Sequence, residues 1–309
     1  MGVFLGIALQ ALASSPQRYS VTAEAVGAVS SSRSAGTEQR HWGGGGLLSA
    51  TYHLRPVVDD DTPRSAQRWI QRASTVTLSA WGRYASGPQI TGDREEHAYG
   101  FAAAMRYDTA SPLFVRARVQ FEESGWFDTF RVPIPALGRD QTLQLDEWWM
   151  SANAAVGFRW RRFEAEGGLT FHGRVSQDIS WSRLQGAPSP RFEPHLAVRA
   201  LADGWFFIEA AASYAITDQD RALSLWLNPT ALIGRNLSLF ASLSHSRRWR
   251  ADYESASVLT SSVGGGIGCW IGPVEATARY TFSAWGSSEL TSPNSTGHVA
   301  QLGVTWRAR

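Results

Sequence analysis

The chain has 309 residues, of which 43% are hydrophobic, 12% aromatic and 18% charged, with a formal net charge of +2. All 29 basic residues are arginine, and so small a net charge gives no footprint for nucleic acid. A single cysteine, Cys269, excludes a disulfide framework, an iron–sulfur cluster and a cysteine-rich zinc site. No apolar run approaches the roughly 20 residues of a membrane-spanning helix. No metal site or cofactor is expected.

Residues Val3 to Ala13 are apolar and end in Ala11-Leu12-Ala13, followed by Ser14-Ser15-Pro16. A short apolar segment before a small-x-small site has the form of a cleavable secretory signal, assigned here to residues 1–13, although the usual basic n-region is missing. Beyond Tyr19 the sequence alternates apolar and polar positions, the period of a β-strand. Fourteen candidate strands follow in order: 19–31, 46–55, 73–86, 96–108, 112–122, 147–160, 163–175, 192–201, 205–216, 222–233, 237–247, 258–271, 273–285 and 297–308. The clearest sets Val274, Ala276, Ala278, Tyr280, Phe282 and Ala284 against Glu275, Thr277, Arg279, Thr281 and Ser283.

Their connections alternate in length. Thr109-Ala110-Ser111, Arg161-Arg162, Ala202-Asp203-Gly204, Gly234-Arg235-Asn236 and Gly272 are hairpin-length turns. The intervening connections 32–45, 87–95, 123–146, 176–191, 248–257 and 286–296 are long and polar. Short/long parity of this kind belongs to transmembrane barrels, with tight periplasmic turns and longer outside loops. The exception is 56–72, with Asp59-Asp60-Asp61, which is long where a short turn is expected.

Fourteen strands at a spacing of ~4.8 Å and a tilt of about 40° enclose a radius of about 14 Å, too wide for alanine and valine to fill. The opposite face carries arginine, glutamate, threonine and serine, which cost several kcal/mol each when buried dry and unpaired. Apolar side chains facing lipid and polar ones facing water satisfy both faces, and closure pairs every backbone group. The predicted fold is therefore all-β: a closed antiparallel transmembrane β-barrel of about fourteen strands (12–16) over residues 19–309, without a plug domain. A two-sheet soluble sandwich is the runner-up. Trp148, Trp160, Tyr84, Tyr107, Phe158, Tyr280, Phe282 and Trp306 fall on the outward register, many near strand ends where interfacial aromatics gather.

At the last strand, Gln301-Leu302-Gly303-Val304-Thr305-Trp306-Arg307-Ala308 resembles the polar-x-Gly-x-x-aromatic-x-aromatic signal of Gram-negative outer-membrane β-barrels. It departs from that pattern at Ala308 and at the terminal Arg309. The resemblance covers 19–309, fixes no subfamily, and implies outer-membrane lipid as surroundings with both termini in the periplasm.

The predicted lumenal face carries Arg83, Arg106, Arg116, Arg118, Arg159, Arg174, Arg199 and Arg279, with Glu122, Glu164, Glu166, Glu193, Glu209 and Glu275. Guanidinium groups lining a pore attract anions; equally, arginine–glutamate ladders brace a wall. Inward Trp81, Trp149, Trp226 and Trp270 offer flat faces for sugar stacking, or bulk that narrows the bore. Within 123–146, Trp126, Phe127 and Phe130 suggest a loop folded into the bore as a constriction, by analogy with porins. With about five residues between the signal and the first strand, a TonB-dependent transporter or a hatch-bearing fatty-acid channel is disfavoured.

Three classes remain. The first is a channel for hydrophilic solutes, anionic or saccharide. The second is an envelope-assembly component, such as one for polysaccharide export, contacting periplasmic export proteins through 56–72. The third, least favoured, is a lipid hydrolase. No histidine is followed two residues later by serine, though His245 and His298 face outward with Ser244 and Ser246 beside the former. Asp59-Asp60-Asp61 reads as a solvated turn ahead of a calcium site.

Overall fold

The computed structural model describes residues 18–34, 37–57, 63–66, 71–89, 92–130, 141–179, 190–218, 220–250, 253–287 and 295–307. The signal assignment at 1–13, Asp59-Asp60-Asp61, and Ala308 with Arg309 lie outside them. Fourteen strands run in chain order: β1 (Tyr19–Ser34), β2 (Thr37–His53), β3 (Thr75–Gln89), β4 (Gly92–Asp108), β5 (Leu113–Phe130), β6 (Gln141–Trp160) and β7 (Phe163–Ile179). Then follow β8 (Arg191–Ala202), β9 (Phe206–Ile216), β10 (Asp220–Ile233), β11 (Leu237–Arg250), β12 (Tyr253–Ile271), β13 (Val274–Ser287) and β14 (Ser295–Arg307). Each pairs antiparallel with its neighbours, and β1 pairs with β14 from Ser20↔Arg307 to Ser32↔Ser295, closing the barrel. The fourteen strands match the sequence pattern one for one.

Strand ends differ from it: toward the long connections most strands run beyond the predicted bounds, while toward the short turns several stop one or two residues short, as β2 at His53 and β3 from Thr75. The connections expected at 32–45, 87–95 and 248–257 shrink, because β1, β2, β3, β4, β11 and β12 continue to Ser34, Thr37, Gln89, Gly92, Arg250 and Tyr253. In these stretches both faces are polar, as in Ser30-Ser31-Ser32-Arg33. The alternation that marks a two-solvent strand is lost while the backbone ladder persists. The same extension corrects the constriction-loop assignment. Trp126, Phe127 and Phe130 sit in β5, their backbones opposite Glu96, Glu95 and Gly92 of β4 and Leu145, Gln144 and Gln141 of β6. Residues 131–140 lie outside the described residues.

The turns at the other end are tight. Arg161 (φ 54°) and Asp203 (φ 47°) adopt left-handed backbone, as do Gly204, Gly234 and Gly272, the conformation that two-residue hairpins require. The β2–β3 connection is long at this end, as its sequence indicates.

Exposure assigns the faces. Leu196, Leu302, Leu78 and Val156 are 67%, 65%, 60% and 59% exposed, all on the outer wall, where Phe101 stacks on Phe121 and Tyr99 meets Trp148 edge-on. The inner wall is polar, and it is crowded where large rings lie flat on it. A Cβ at Gly157 would sit 2.0 Å from the Phe114 ring, and one at Gly100 would sit 2.4 Å from the Trp81 ring; only glycine admits these rings.

Adjacent residues on β10 test the assignment. Leu225→Arg places a guanidinium on the outer face and should lower the unfolding free energy in a bilayer by about 2–4 kcal/mol. Ser224→Arg, facing the lumen, should change it by about 0.5 kcal/mol or less. Denaturant titration of barrel reconstituted in lipid measures both.

Candidate functional site

The lumen is built by the inward members of each strand, and its character changes along the axis. Next to the short turns the inward side chains are buried around the circumference: Ser20, His53, Asp108, Phe114, Arg159, Glu164, Leu201, Leu232, Ser238, Trp270 and Arg307 are each 7% exposed or less. Two assemblies fill this end.

The first is an ionic network on β4–β9. Glu164, fully buried, accepts from three guanidinium groups: Arg106 (Nη1–Oε1 3.0 Å, Nη2–Oε2 2.8 Å), Arg159 (Nη2–Oε2 2.9 Å) and Arg199 (Nη1–Oε1 2.9 Å). Arg106 also grips Asp108 at 2.8 and 2.9 Å and lies 4.2 Å over the Phe114 ring. Arg199 continues to Glu166 (3.1 Å) and Glu209 (2.6 Å), and Arg116 closes on Glu166 at 2.6 Å. Four arginines thus meet four carboxylates, which is what a low-dielectric site requires: an uncompensated charge there costs several kcal/mol. The planar fork of arginine makes the sharing geometrically feasible.

The second is the turn Pro63–Ala66 of the β2–β3 connection, which folds under the strands opposite. Arg64 donates to the carbonyl of Gly272, and its own carbonyl accepts from Arg307 (3.0 Å). Ser65 Oγ accepts from the Trp270 indole (3.2 Å) and donates to Glu275 (3.4 Å), while Ala66 packs on Leu201 and Leu232. Trp270 is capped by the Arg307 guanidinium at 4.1 Å and is 3% exposed. It is therefore unavailable for sugar stacking. Its ring is part of the seal.

Beyond this floor lies a cavity of about 1630 Å³ against β3–β11. Arg106, Arg116, Arg118, Arg174, Arg191, Arg199 and Arg248 face it together with Glu122, Glu147, Glu166, Glu193, Glu209 and Asp220. Arg174 binds Glu147 at 2.8 Å, Arg118 donates to Gln120 at 2.9 Å, and exposed Arg83 reaches Glu122 at 3.5 Å. Arg279 lies 4.8 Å over Phe240. Trp149, donating to Glu147 at 3.2 Å, and Trp226 line the cavity, whereas the Trp81 ring lies against the bare backbone of Gly100.

Of the side chains assigned inward by sequence, Arg106, Arg116, Arg118, Arg174, Arg199, Glu122, Glu166, Glu193, Glu209, Trp149 and Trp226 line the cavity, and Arg159, Glu164 and Trp270 are buried at its floor. The pairings are what the sequence does not show. Asp108, Glu147 and the Pro63–Ala66 turn were missed, although Asp108 lies two residues past Arg106 and Glu147 two before Trp149, continuing the same face. On the outer wall His245 Nδ1 is 3.0 Å from Ser261 Oγ on the neighbouring strand, not partnered by its sequence neighbours. The one group of three potential metal ligands among the described residues, His97, Glu123 and Asp146, is also on the outer wall, their ligand atoms within 4.8 Å of one another.

This architecture is that of outer-membrane β-barrels. No protein-family model and no curated protein matches the sequence. Among solved structures, the chain is similar to the Pseudomonas putida toluene transporter TodX (TM-score 0.58, 8% identity, covering 95% of this chain and 90% of that one). It is similar to a Pseudomonas aeruginosa FadL homologue (0.58, 9%, 95% and 91%) and to the translocator domain of the autotransporter NalP from Neisseria meningitidis (0.54, 13%, 99% and 94%). At such identities the likeness is one of fold.

Glu164→Gln, which leaves three buried guanidinium groups short of charge, should lower the unfolding free energy by about 3–5 kcal/mol. Glu209→Gln, at the partly exposed edge of the network, should cost about 1 kcal/mol or less. Urea titrations of the two variants in one detergent give the comparison.

Proposed function

We propose that the chain is an outer-membrane channel for hydrophilic solutes, with the short turns and both termini on the periplasmic side. The single observation behind this reading is the two-faced wall: an apolar exterior around a charged cavity of about 1630 Å³. A wall of that polarity keeps water in the lumen and offers paired hydrogen bonds to carboxylates, phosphates or sugar hydroxyls. Trp149 and Trp226, on the same cavity, add flat apolar faces beside the charges, which suits saccharides. Toluene, the solute in the name of TodX, does not fit here, since an apolar molecule gains nothing from displacing water around guanidinium and carboxylate groups.

Selectivity for anions follows from seven arginines facing six carboxylates across the cavity, and it is weak because most of them are paired. The narrowest level is the floor, where Glu164 gathers Arg106, Arg159 and Arg199 and the Pro63–Ala66 turn spans the opposite side. Conduction is governed there.

Planar-bilayer recordings test both parts. Wild-type barrel should give a small conductance with a slight anion preference, and replacing Pro63–Ala66 by Gly-Ser-Gly-Ser should raise the conductance. Arg116→Glu with Arg118→Glu should move the reversal potential toward cations. Conductance indistinguishable from bare lipid in the wild type and in the turn variant overturns the channel reading.

A further inference from the structure

Three lumenal side chains on successive strands form a further set, joined to the arginine–carboxylate pairs through Arg191 and Glu193. Ser151 on β6 and His172 on β7 are directly opposite in the register, and Glu193 on β8 is opposite Thr170, one step along the same face from His172. All three line the cavity. His172 Nδ1 is 3.0 Å from Ser151 Oγ, and its Nε2 is 3.7 Å from Glu193 Oε2. Arg191 anchors that carboxylate oxygen at 2.6 Å. The order is hydroxyl, imidazole, carboxylate, with the carboxylate fixed from behind.

That order has a chemical meaning. A serine hydroxyl is a weak nucleophile unless a base within hydrogen-bond reach takes its proton, and the base must be oriented by a third group. The contact between imidazole and carboxylate is at ion-pair distance, and such contacts commonly tighten when substrate binds. The outer wall supplies the contrast. His245 and Ser261 make the same 3.0 Å contact, yet no carboxylate joins them among the described residues, and they do not line the lumenal cavity. Among the described residues, the lumenal set combines the third member with a cavity of about 1630 Å³.

The surroundings supply the remaining parts. Gln120 is opposite Ser151 on β5, and Arg118 donates to its Oε1 at 2.9 Å. Gln120 in turn donates from Nε2 to Glu122 at 3.3 Å, and Arg118, opposite Asn153, is the cation one step along the face from Ser151, on the side where charge would develop on a carbonyl oxygen. On β7 the register shift at Trp148/Trp149 leaves Val175 without a partner on β6. This bulge follows directly on Arg174, and bulges of this kind re-aim side chains beside active sites. Arg174 and Arg191 both face the cavity, a positive rim on the side of His172 away from Gln120.

We propose that Ser151, His172 and Glu193 form a hydrolytic site within the lumen, acting on carboxylic esters that carry a negative charge. Ser151 Oγ adds to the ester carbonyl carbon as its proton passes to His172 Nδ1, and Glu193 stabilises the imidazolium. Collapse of the tetrahedral adduct breaks the bond to the alcohol oxygen, which leaves with that proton as the alcohol. Water, giving a proton to His172, then adds to the acyl carbon. The carboxylic acid departs and the proton returns to Ser151. One ester and one water become one alcohol and one acid.

The test uses folded full-length barrel in detergent and two probes, a fluorophosphonate reagent and the p-nitrophenyl monoester of succinic acid. Wild type should be labelled at Ser151, located by peptide mass mapping, and should release p-nitrophenol. Ser151→Ala should abolish both signals. His172→Gln should lower both rates by about 100-fold or more, while His245→Gln leaves them unchanged. Heat-modifiable migration on gels verifies that each variant is folded. Should Ser151→Ala fail to fold, Ser151→Cys replaces it: its reaction with iodoacetamide should be faster than that of the same variant carrying His172→Gln. Wild-type labelling that maps away from Ser151, labelling no faster than in Ser151→Ala, or equal thiol reactivity with and without His172 overturns the proposal. Bilayer conductance is read separately, so failure of the hydrolytic site and failure of the channel reading are distinguishable.

Discussion

Everything in this molecule depends on one ladder, the antiparallel pairing of β1 with β14. It joins residues nearly three hundred positions apart, Ser20 to Arg307 and Thr22 to Thr305, whose hydroxyl groups also meet at 3.0 Å. Without it the remaining strands form an open sheet with two unpaired edges, which hydrocarbon does not tolerate. Once it is made, inside and outside exist, and each strand's alternation acquires a meaning. Leu225 meets lipid while Ser224 and Trp226 meet water because the sheet is a cylinder. Closing so long a loop is entropically slow, so the pairing that defines the fold is also the one that local sequence helps least.

Inside the cylinder the wall solves a second problem, how to narrow a wide lumen with side chains of its own. The floor is made from the wall's own side chains and one turn. Glu164 serves as the hub because a carboxylate has lone pairs for several donors and arginine offers donors in a planar fork. A chain that uses arginine alone as its cation is suited to such sharing. Lysine, a point charge on a flexible stem, would not grip Asp108 and Glu164 at once as Arg106 does. Opposite the network, Ser65 both accepts from Trp270 and donates to Glu275. Four residues of connection thereby close on Trp270, Glu275 and Arg307 of β12–β14.

Strand number, order and facing were readable from the sequence because they follow from a period of two, and a period is a local property. The inward set, from Arg83 to Glu275, was found for the same reason. Strand ends were not, since the ladder through Arg33 or Glu95 persists where the alternation of solvents has stopped. Nor were the pairings. That Arg106 reaches Glu164 across 58 positions, or that His172 falls opposite Ser151 and one step from Glu193, depends on the stagger of neighbouring strands. A one-residue slip would turn these side chains to opposite faces. Trp270 shows the limit from the other side: its face was readable, but its burial is decided by a turn two hundred residues away.

The depth of each row along β7 divides the wall into levels with different work. Glu164 and Glu166 stand at the floor, dry and saturated with arginine, and their value is structural. His172 is eight residues further along the same strand. At ~3.3 Å per residue and a tilt of about 40°, that is about 20 Å above the floor. At that height His172 and Ser151 line the cavity, so the hydroxyl beside the imidazole is reachable by a solute. A narrow floor beneath the cavity slows the departure of a solute in front of Ser151, which lengthens its residence at the reactive row. Opening of the floor would shorten it. Passage and hydrolysis therefore draw on the same lumen in opposite senses, with the balance set by the Pro63–Ala66 turn, far below the residues that do the chemistry.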